Sequence, residues 1–347
     1  MSETIRVGVI GFGMAGRYFH TAVIAETPGL ELACIVQRSG NAAAEAYPNV
    51  KIARSIEEML ADESIRLVVV ATPSSEHYEH AAQCLRAGKN VVVDKPFVLK
   101  ADEARKLIEI AHEHKVLLSV YQNRRWEGDH VTLKGVLAAG ELGRVVVFES
   151  HIDRYRALPR LGAWRENGGV GGGILFDLGS HLIDQACAFF GDPESIWADV
   201  RIERDDAVSD DAFDIQLKFA GGVTGWLHSS LTTKFASPRY VVHGTKGSYV
   251  QWGMDPQEGQ LKEGKKFSDP GFGERPESEW AELHLDGEPV RKLKTAKGDY
   301  RGLYANVRDA ILGTGKLEVT PEQAWRTTRL IELARQSSAD GRRLPFA

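Results

Sequence analysis

A lysine with catalytic potential follows a run of valines in the segment "NVVVDKPFVLK" (90–100). The run has no polar alternation, which is typical of a strand buried on both faces of a parallel sheet, and the charges begin where such a strand leaves the sheet. In doubly wound sheets this edge is where ligands bind. Lys95 is therefore either a solvated residue at a strand end or a group that acts on a bound substrate.

An aspartate and a histidine form a second candidate in the segment "GGGILFDLGSHLIDQ" (171–185). Asp177 and His181 are four residues apart, so a helix would place both side chains on one face. Histidine can take the proton of a hydroxyl, while the acid orients it and a lysine stabilises the developing alkoxide. Asp184 could orient the histidine instead, and a surface pair on an amphipathic helix is the structural alternative.

Alternating strands and helical patterns in the first third of the chain would position Lys95. Such alternation predicts a parallel sheet with right-handed crossovers, and thus a Rossmann-type dinucleotide-binding domain over residues 1–124. The first helix is expected to follow a glycine turn and to end near Glu26. The predicted strands are 5–10, 30–36, 66–71, 90–94 and 115–121.

Residues 125–347 predict a substrate-binding and oligomerisation domain built on a large open, mostly antiparallel sheet. A helix around 126–139 precedes a strand at 144–153, and a glycine-rich segment precedes a helix at about 175–190. The strands that follow alternate apolar and polar side chains, which is typical of a sheet covered on one face. The whole chain is therefore predicted to be an α/β protein. Its later elements are strands within 196–204, 212–220, 223–231 and 239–245, excursions over 254–300, and a helix at 321–339.

Composition and charge exclude several classes of protein. The 347 residues, 43% of them hydrophobic, suffice for a core in each of two domains. A net charge of −5 without a dense basic block argues against binding to nucleic acid. Cys34, Cys84 and Cys187 fit neither a disulfide framework nor a zinc spacing, so no metal site is expected. The N-terminus has no signal-peptide pattern and no segment resembles a membrane span, so we expect a cytoplasmic protein without a membrane partner.

The segment "GFGMAG" directly follows the first predicted strand and opens a helix. Its glycines have the spacing of a dinucleotide-binding loop, in which they permit a tight turn, close approach of a pyrophosphate and close helix packing. The helix N-terminus favours the anion. A glycine turn without a ligand is the alternative. The predicted cofactor-binding loop consists of Gly11, Phe12, Gly13, Met14, Ala15 and Gly16.

The end of the second strand bears on the choice between NAD and NADP. A carboxylate there would bind the ribose 2′-hydroxyl of NAD, whereas a cation accommodates the 2′-phosphate of NADP. The residues present are Gln37, Arg38 and Ser39, which favours NADP and leaves NAD possible. A solvated arginine at the start of a loop is the alternative interpretation.

The segment "ATPSSEHYEH" (71–80) follows another strand of the same sheet. Thr72, Pro73 and Ser74 are expected beside the ribose and nicotinamide of the cofactor. His77 falls on the first turn of the next helix, where it could cap that helix or line the cleft. We assign it a positioning role only.

The order and separation of "GFGMAG", "DKP" and "GGGILFDLGSHLIDQ" resemble the Gfo/Idh/MocA oxidoreductase family over essentially the whole chain. This resemblance implies a Rossmann domain, an α/β domain whose open sheet often forms an oligomer interface, and thus a homodimer or homotetramer. The family's E-K-P motif matches Lys95 and Pro96, and its D-x-x-x-H motif matches Asp177 and His181. Asp94 replaces the usual Glu, and its shorter side chain is expected to position Lys95 or the cofactor slightly differently. A cis bond before the proline would aim Lys95 into the cleft.

Within the family, "SVYQNRRW" (119–126), "DRYR" (153–156) and "AWRE" (163–166) look most like the NADP-dependent scyllo-inositol dehydrogenase group. That resemblance implies reversible hydride transfer between NADP and a secondary hydroxyl of an inositol or sugar. An aldose, anhydro-sugar or diol substrate is an alternative, and so is a non-catalytic dinucleotide-sensing protein. The adjacent arginines could also form salt bridges between domains. By resemblance, the cleft is lined by Asp94, Lys95, Pro96, Asn123, Trp164 and Arg165 near the cofactor, and by Tyr121, Arg124, Arg125, Trp126 and Tyr155 near the substrate.

Overall fold

The computed structural model describes residues 3–160 and 162–346, which divide into two compact units. The sequence predicts a domain boundary after residue 124 and a last helix that could pack back on the first domain. In the structure, two later segments group with the first unit, so the chain changes unit several times. No shift in composition marks these returns. The first unit contains residues up to Asn123, 257–269 and 299–325, and the second contains 124–256, 270–298 and the residues from 326 onward.

Six parallel strands form the sheet of the first unit, in the order β3-β2-β1-β4-β5-β6. This is the doubly wound order of a Rossmann domain, and it reverses direction between β1 and β4. Val91, Val92 and Val93 are buried, so the apolar run is a strand covered on both faces. The predicted fold of this domain is confirmed. The strands are β1 (Ile5–Ile10), β2 (Leu30–Val36), β3 (Lys51–Ala53), β4 (Ile65–Val70), β5 (Asn90–Val93) and β6 (Leu118–Val120).

Nine strands form the sheet of the second unit, in the order β14-β13-β12-β11-β7-β10-β9-β8-β15. Neighbouring strands run antiparallel except β7 and β10, which pair in parallel. Buried and more exposed side chains alternate along β9 and β10, so one face of the sheet is apolar and the other polar. The predicted open, mostly antiparallel sheet is confirmed. The strands are β7 (Val145–His151), β8 (Pro193–Arg201), β9 (Ala212–Phe219), β10 (Thr224–Ser230), β11 (Tyr240–Gly244), β12 (Gly247–Gln251), β13 (Ala281–Leu285), β14 (Arg291–Leu293) and β15 (Leu344–Pro345).

Two helices begin with a π-helical turn, and both turns lie in segments predicted to do chemistry. Gly16–Thr21 continues into α1, and Leu175–Gly179 continues into α7. Such turns are rare and often occur at functional sites.

The helices of the described residues are too short or too polar to span a membrane. The helices are α1 (Ala22–Ala25), α2 (Ala42–Ala46), α3 (Ile56–Leu60), α4 (His77–Arg86), α5 (Ala101–His114), α6 (Gly128–Ala139), α7 (Ser180–Phe190), α8 (Gln257–Lys262), α9 (Arg301–Ile311) and α10 (Pro321–Asp340).

Several elements differ in length or identity from the sequence prediction. The strand predicted at 115–121 shortens to β6, because Lys115 ends α5 in the left-handed conformation, with φ of 55°. The region 254–300, expected to hold excursions, contains α8 and the antiparallel pair β13 and β14. These elements are short, and turn residues interrupt their patterns, so periodicity alone does not reveal them.

Candidate active site

The glycine loop follows β1, beside the point where the strand order of the first sheet reverses. Gly11 has φ of +99°, and a Cβ there would lie 2.6 Å from the carbonyl oxygen of Ala71. A Cβ on Gly16 would lie 2.1 Å from the carbonyl oxygen of Gly11. The fold itself therefore requires these two glycines. A Cβ on Gly13 would meet nothing within 4 Å, so this backbone is open to close approach by an anion, and the loop fits a dinucleotide pyrophosphate.

Of the other residues in the glycine loop, Phe12 packs against the protein and Met14 is exposed to solvent. The ring of Phe12 packs edge-on against Tyr47, with centroids 6.0 Å apart. Met14 is 51% exposed, and Ala15 directly precedes the π-helical turn. The loop is thus held on one side and presents Met14 and the backbone of Gly13 to solvent.

Arg38 and Ser39 are exposed just beyond β2. The guanidinium of Arg38 lies 3.6 Å from a carboxylate oxygen of Glu76, and the arginine side chain is 74% exposed. An exposed ion pair of this kind contributes little free energy. A dianionic phosphate can therefore compete with Glu76 for the guanidinium, which is compatible with the predicted 2′-phosphate contact.

His77 links the backbone after β4 to the backbone after β5. It is 1% exposed, its Nε2 lies 3.0 Å from the carbonyl oxygen of Thr72, and its Nδ1 lies 2.9 Å from that of Pro96. Carbonyl oxygens only accept hydrogen bonds and an uncharged imidazole has one N–H to donate, so His77 can donate to one of these oxygens while its buried ring lies between the two loops. Of the neighbouring predicted contacts, Pro73 is exposed and Ser74 is buried.

Lys95 lies immediately after β5 and is half-buried, and its peptide bond to Pro96 is cis. Its backbone N–H donates a 2.8 Å hydrogen bond to Oδ1 of Asp94, and Nε2 of His20 lies 3.5 Å from the same oxygen. Burial alone would raise the pKa of Asp94, but His20, Lys95 and His77 outweigh it, so the pKa lies below its ordinary value. Asp94 is therefore an ionised, buried support for the lysine loop at neutral pH.

A buried aromatic cluster stands behind Asp94. Nδ1 of His20 lies 2.6 Å from the hydroxyl of Tyr304, and the rings of His20 and Tyr121 are 4.4 Å apart. The Tyr121 hydroxyl donates a 2.7 Å hydrogen bond to the carbonyl oxygen of Phe19, and the residue is 2% exposed. The structure gives this hydroxyl a backbone partner. A substrate contact by Tyr121 stays a prediction. Sequence reasoning missed His20 and Tyr304, which come together only when the chain folds.

Asp177 and His181 lie on one continuous helix of the second unit. Asp177 occupies the π-helical turn and is half-buried, and His181 is 3% exposed near the start of α7. Nε of Arg165 lies 3.5 Å from Oδ1 of Asp177, and its guanidinium is 4.5 Å from the ring centroid of Trp164. Arg165, predicted from the resemblance as a cofactor contact, thus also contacts the predicted catalytic acid.

Asp210 fixes the start of this helix, and the sequence analysis did not single it out. Its Oδ2 accepts a 2.8 Å hydrogen bond from the N–H of Leu175, and Arg335 lies 3.1 Å from its Oδ1. A carboxylate at a helix N-terminus is electrostatically favourable. Gly173 has φ of +87°, and a Cβ there would lie 2.1 Å from the same carboxylate. The glycine-rich segment is therefore required, at this position, by the close approach of Asp210.

The predicted arginine pair forms salt bridges inside the second unit. Nε and Nη2 of Arg125 lie 2.7 and 2.6 Å from the two carboxylate oxygens of Asp184. Arg124 pairs with the buried Glu127. The first pair engages both oxygens of Asp184, which favours Asp177 as the acid that orients His181. These two bridges are internal to one unit, whereas the sequence left open salt bridges between domains.

Three further residues are predicted to contact the cofactor or the substrate, namely Asn123, Trp126 and Tyr155. Asn123 and Trp126 begin and end a short 3₁₀ turn, and both are half-buried. Tyr155 is 54% exposed and forms an isolated β-bridge with Thr232. Their contacts with a cofactor or substrate stay predictions.

Comparison with known proteins places the chain in a family. Residues 5–122 match the family model described as an oxidoreductase family NAD-binding Rossmann fold, and residues 134–346 match the one for its C-terminal alpha/beta domain. The chain is 41% identical to the uncharacterized oxidoreductase YdgJ of Escherichia coli (strain K12), over 97% of each protein. It is 34% identical to scyllo-inositol 2-dehydrogenase (NADP(+)) IolW of Bacillus subtilis (strain 168), over 98% of this chain and 95% of that protein.

A solved structure agrees with this assignment. The structure of yvaA from Bacillus subtilis superimposes with a TM-score of 0.95 and 32% identity, covering 100% of this chain and 99% of that one. Both halves of the chain thus match the resemblance predicted from the motifs, and that prediction is confirmed. The chain belongs to the Gfo/Idh/MocA family and is an NAD(P)-dependent oxidoreductase with an NAD-binding Rossmann domain.

Proposed function

We propose that the protein catalyses the reversible, NADP-linked oxidation of a secondary hydroxyl on an inositol or a sugar. The likeness to IolW over nearly the whole chain carries this proposal. The presence of Lys95, Asp177 and His181 supports it, because a protein that only senses a dinucleotide has no need for these three groups together.

The proposed mechanism divides proton and charge handling between two side chains. Bound NADP supplies the acceptor for the hydride that leaves the carbinol carbon. His181 accepts the hydroxyl proton as the alcohol becomes a ketone, and returns that proton in the reverse direction. The ammonium group of Lys95 stabilises the negative charge that develops on the substrate oxygen. Asp177, one turn before His181, orients the imidazole.

The cofactor would be held by residues of the first unit. The open backbone at Gly13 would receive the pyrophosphate, and Arg38 with Ser39 would bind the 2′-phosphate that distinguishes NADP from NAD. Thr72 and the residues after it would border the nicotinamide side, where His77 holds the backbone.

A substrate panel tests the proposed reaction directly. We expect absorbance of reduced nicotinamide to change when the protein is mixed with NADP and either scyllo-inositol or myo-inositol. Glucose and xylose, with NADP and with NAD, complete the panel and separate inositol from aldose specificity. Tight NADP binding without turnover across a broad set of polyols would reject the enzyme and favour a dinucleotide sensor.

Replacing Arg38 with Ala is expected to raise the KM for NADP by about tenfold to a hundredfold, because a charge-assisted contact to the 2′-phosphate is lost. The KM for NAD should change little. The Glu76→Gln variant is the matched control, since it removes the anion beside Arg38 and should leave the KM for NADP equal or lower. Equal increases for NADP and NAD in the Arg38 variant would contradict the assignment.

Replacing His20 with Phe is expected to lower kcat by about tenfold to a hundredfold, because the Asp94 carboxylate loses a buried partner and Lys95 is less well positioned. The KM for NADP should stay within about threefold, since this histidine holds the lysine loop and not the cofactor. Tyr304→Phe, which keeps the imidazole and removes only its hydroxyl partner, should have a much smaller effect. An unchanged kcat in a folded His20 variant would reject this positioning role.

We also propose that the chain forms a homodimer or homotetramer. The family resemblance, in which the open sheet often forms the interface, supports this proposal, and such an assembly would cover Trp226, which is 41% exposed on the polar face of the nine-stranded sheet. Light scattering on the purified protein measures this, and a monomer at high concentration would contradict it.

A further inference from the structure

A row of titratable side chains crosses the central strands of the second sheet. The strand register pairs Asp199 with Asp214, Asp214 with His228, and His228 with His151, across β8, β9, β10 and β7. Directly paired residues point to the same face of a sheet. These four side chains therefore form one row on that face.

The four side chains come from four different strands, and only the folded sheet brings them together. Asp153, two residues beyond His151, lies between the two imidazoles. One of its carboxylate oxygens is 3.5 Å from Nε2 of His228, and the other is 3.8 Å from Nδ1 of His151. One ligand atom from each of these three residues lies within 4.8 Å of the others. Two imidazole nitrogens and a carboxylate therefore converge on a small volume at one end of the paired strands β7 and β10.

The distances within this group are too long for direct hydrogen bonds, which are typically about 2.7–3.2 Å. Nδ1 of His151 and Oδ2 of Asp153 are buried and have no hydrogen-bond partner among the described residues. Ligand atoms around a tetrahedral ion with bonds of about 2.1 Å lie about 3.4 Å apart. The separations of 3.5 and 3.8 Å are thus close to those of atoms that share a metal ion.

A neighbouring carboxylate orients one of the imidazoles. Oδ1 of Asp214 lies 2.7 Å from Nδ1 of His228, and a guanidinium nitrogen of Arg201 lies 2.7 Å from the other oxygen of Asp214. The Asp214 carboxylate, paired with the Arg201 guanidinium, accepts this hydrogen bond, so Nδ1 of His228 is the donor and Nε2 faces Asp153. A carboxylate behind a ligating histidine is a recurrent feature of protein metal sites.

We propose that His151, Asp153 and His228 bind one divalent transition-metal ion of the Zn²⁺ class. Two imidazoles and one carboxylate suit such an ion and leave a position for water. The ion would join β7 to β10 and so stabilise the second unit, independently of hydride transfer. The sequence analysis expected no metal site because it considered cysteine spacing, whereas these ligands become neighbours only through strand pairing.

Titration of the metal-free full-length protein with Zn²⁺ tests the proposal by calorimetry. The buffer should be slightly alkaline, because protons compete with the ion for the imidazole nitrogens. We expect one Zn²⁺ per chain, no comparable binding of Mg²⁺, and a higher Tm with Zn²⁺. Co²⁺ at the site should show the visible absorption of a low-coordinate ion.

Substitutions test whether Zn²⁺ binds through the proposed ligands. Asp153→Asn and His228→Gln should each weaken Zn²⁺ binding by at least about tenfold, and Asp214→Asn by about tenfold to a hundredfold. His243→Gln is the matched control, because His243 is exposed on the neighbouring strand β11 and pairs with Ser248. Its affinity should equal that of the unmodified protein. The absence of stoichiometric Zn²⁺ binding, or equal affinity in folded Asp153 and His228 variants, would overturn the proposal.

Discussion

Replacing Lys95 with Met is expected to lower kcat by about two to three orders of magnitude, while NADP(H) still binds. The methionine retains most of the length of the side chain but removes the positive charge that stabilises the developing alkoxide. Loss of a contact made mainly in the transition state lowers kcat and kcat/KM together. Steady-state kinetics with the substrate identified by the panel measure the loss, and the fluorescence of bound NADPH measures cofactor affinity.

A second lysine provides the control for this result. Lys100 is exposed at the start of α5, and Lys100→Met removes a positive charge close in sequence to Lys95. We expect nearly unchanged kinetics for it. If Lys95→Met retained turnover close to that of the unmodified protein, the proposed role of the lysine would be wrong. A loss of NADPH binding as large as the loss of kcat would instead assign Lys95 to cofactor binding.

The sequence predicts the parts of this protein that depend on local patterns. An apolar run such as Val91–Val93 identifies a buried strand, and the glycine spacing from Gly11 to Gly16 identifies a dinucleotide loop. Both patterns express short-range constraints on backbone and burial. The fold class and the family can therefore be predicted from the sequence.

The residues that hold the candidate catalytic segments in place could not be predicted from local patterns. His20 contacts Asp94, which lies more than seventy positions further along the sequence, and Tyr304, which is 284 positions away. No periodicity links residues at such distances. Asp210 likewise caps the helix that carries Asp177 only because its loop folds back to the helix start.

Replacing His181 with Asn is expected to lower kcat by about two to four orders of magnitude, because the substrate hydroxyl loses its general base. Asparagine keeps hydrogen-bonding groups of similar size but cannot accept the proton at neutral pH. The pH profile of the residual kcat/KM should lose the limb that reports this base. His112→Asn is the control, since His112 is exposed on α5 and should not affect turnover.

The double variant Lys95→Met/His181→Asn distinguishes a shared catalytic step from two independent defects. Residues that act together on one transition state show strongly non-additive losses, because once one is removed the other has little left to stabilise. We therefore expect the double variant to lose little more activity than the more impaired single variant. If the two losses multiplied, each residue would act in a separate step, and the proposed concerted roles of base and electrostatic partner would be rejected.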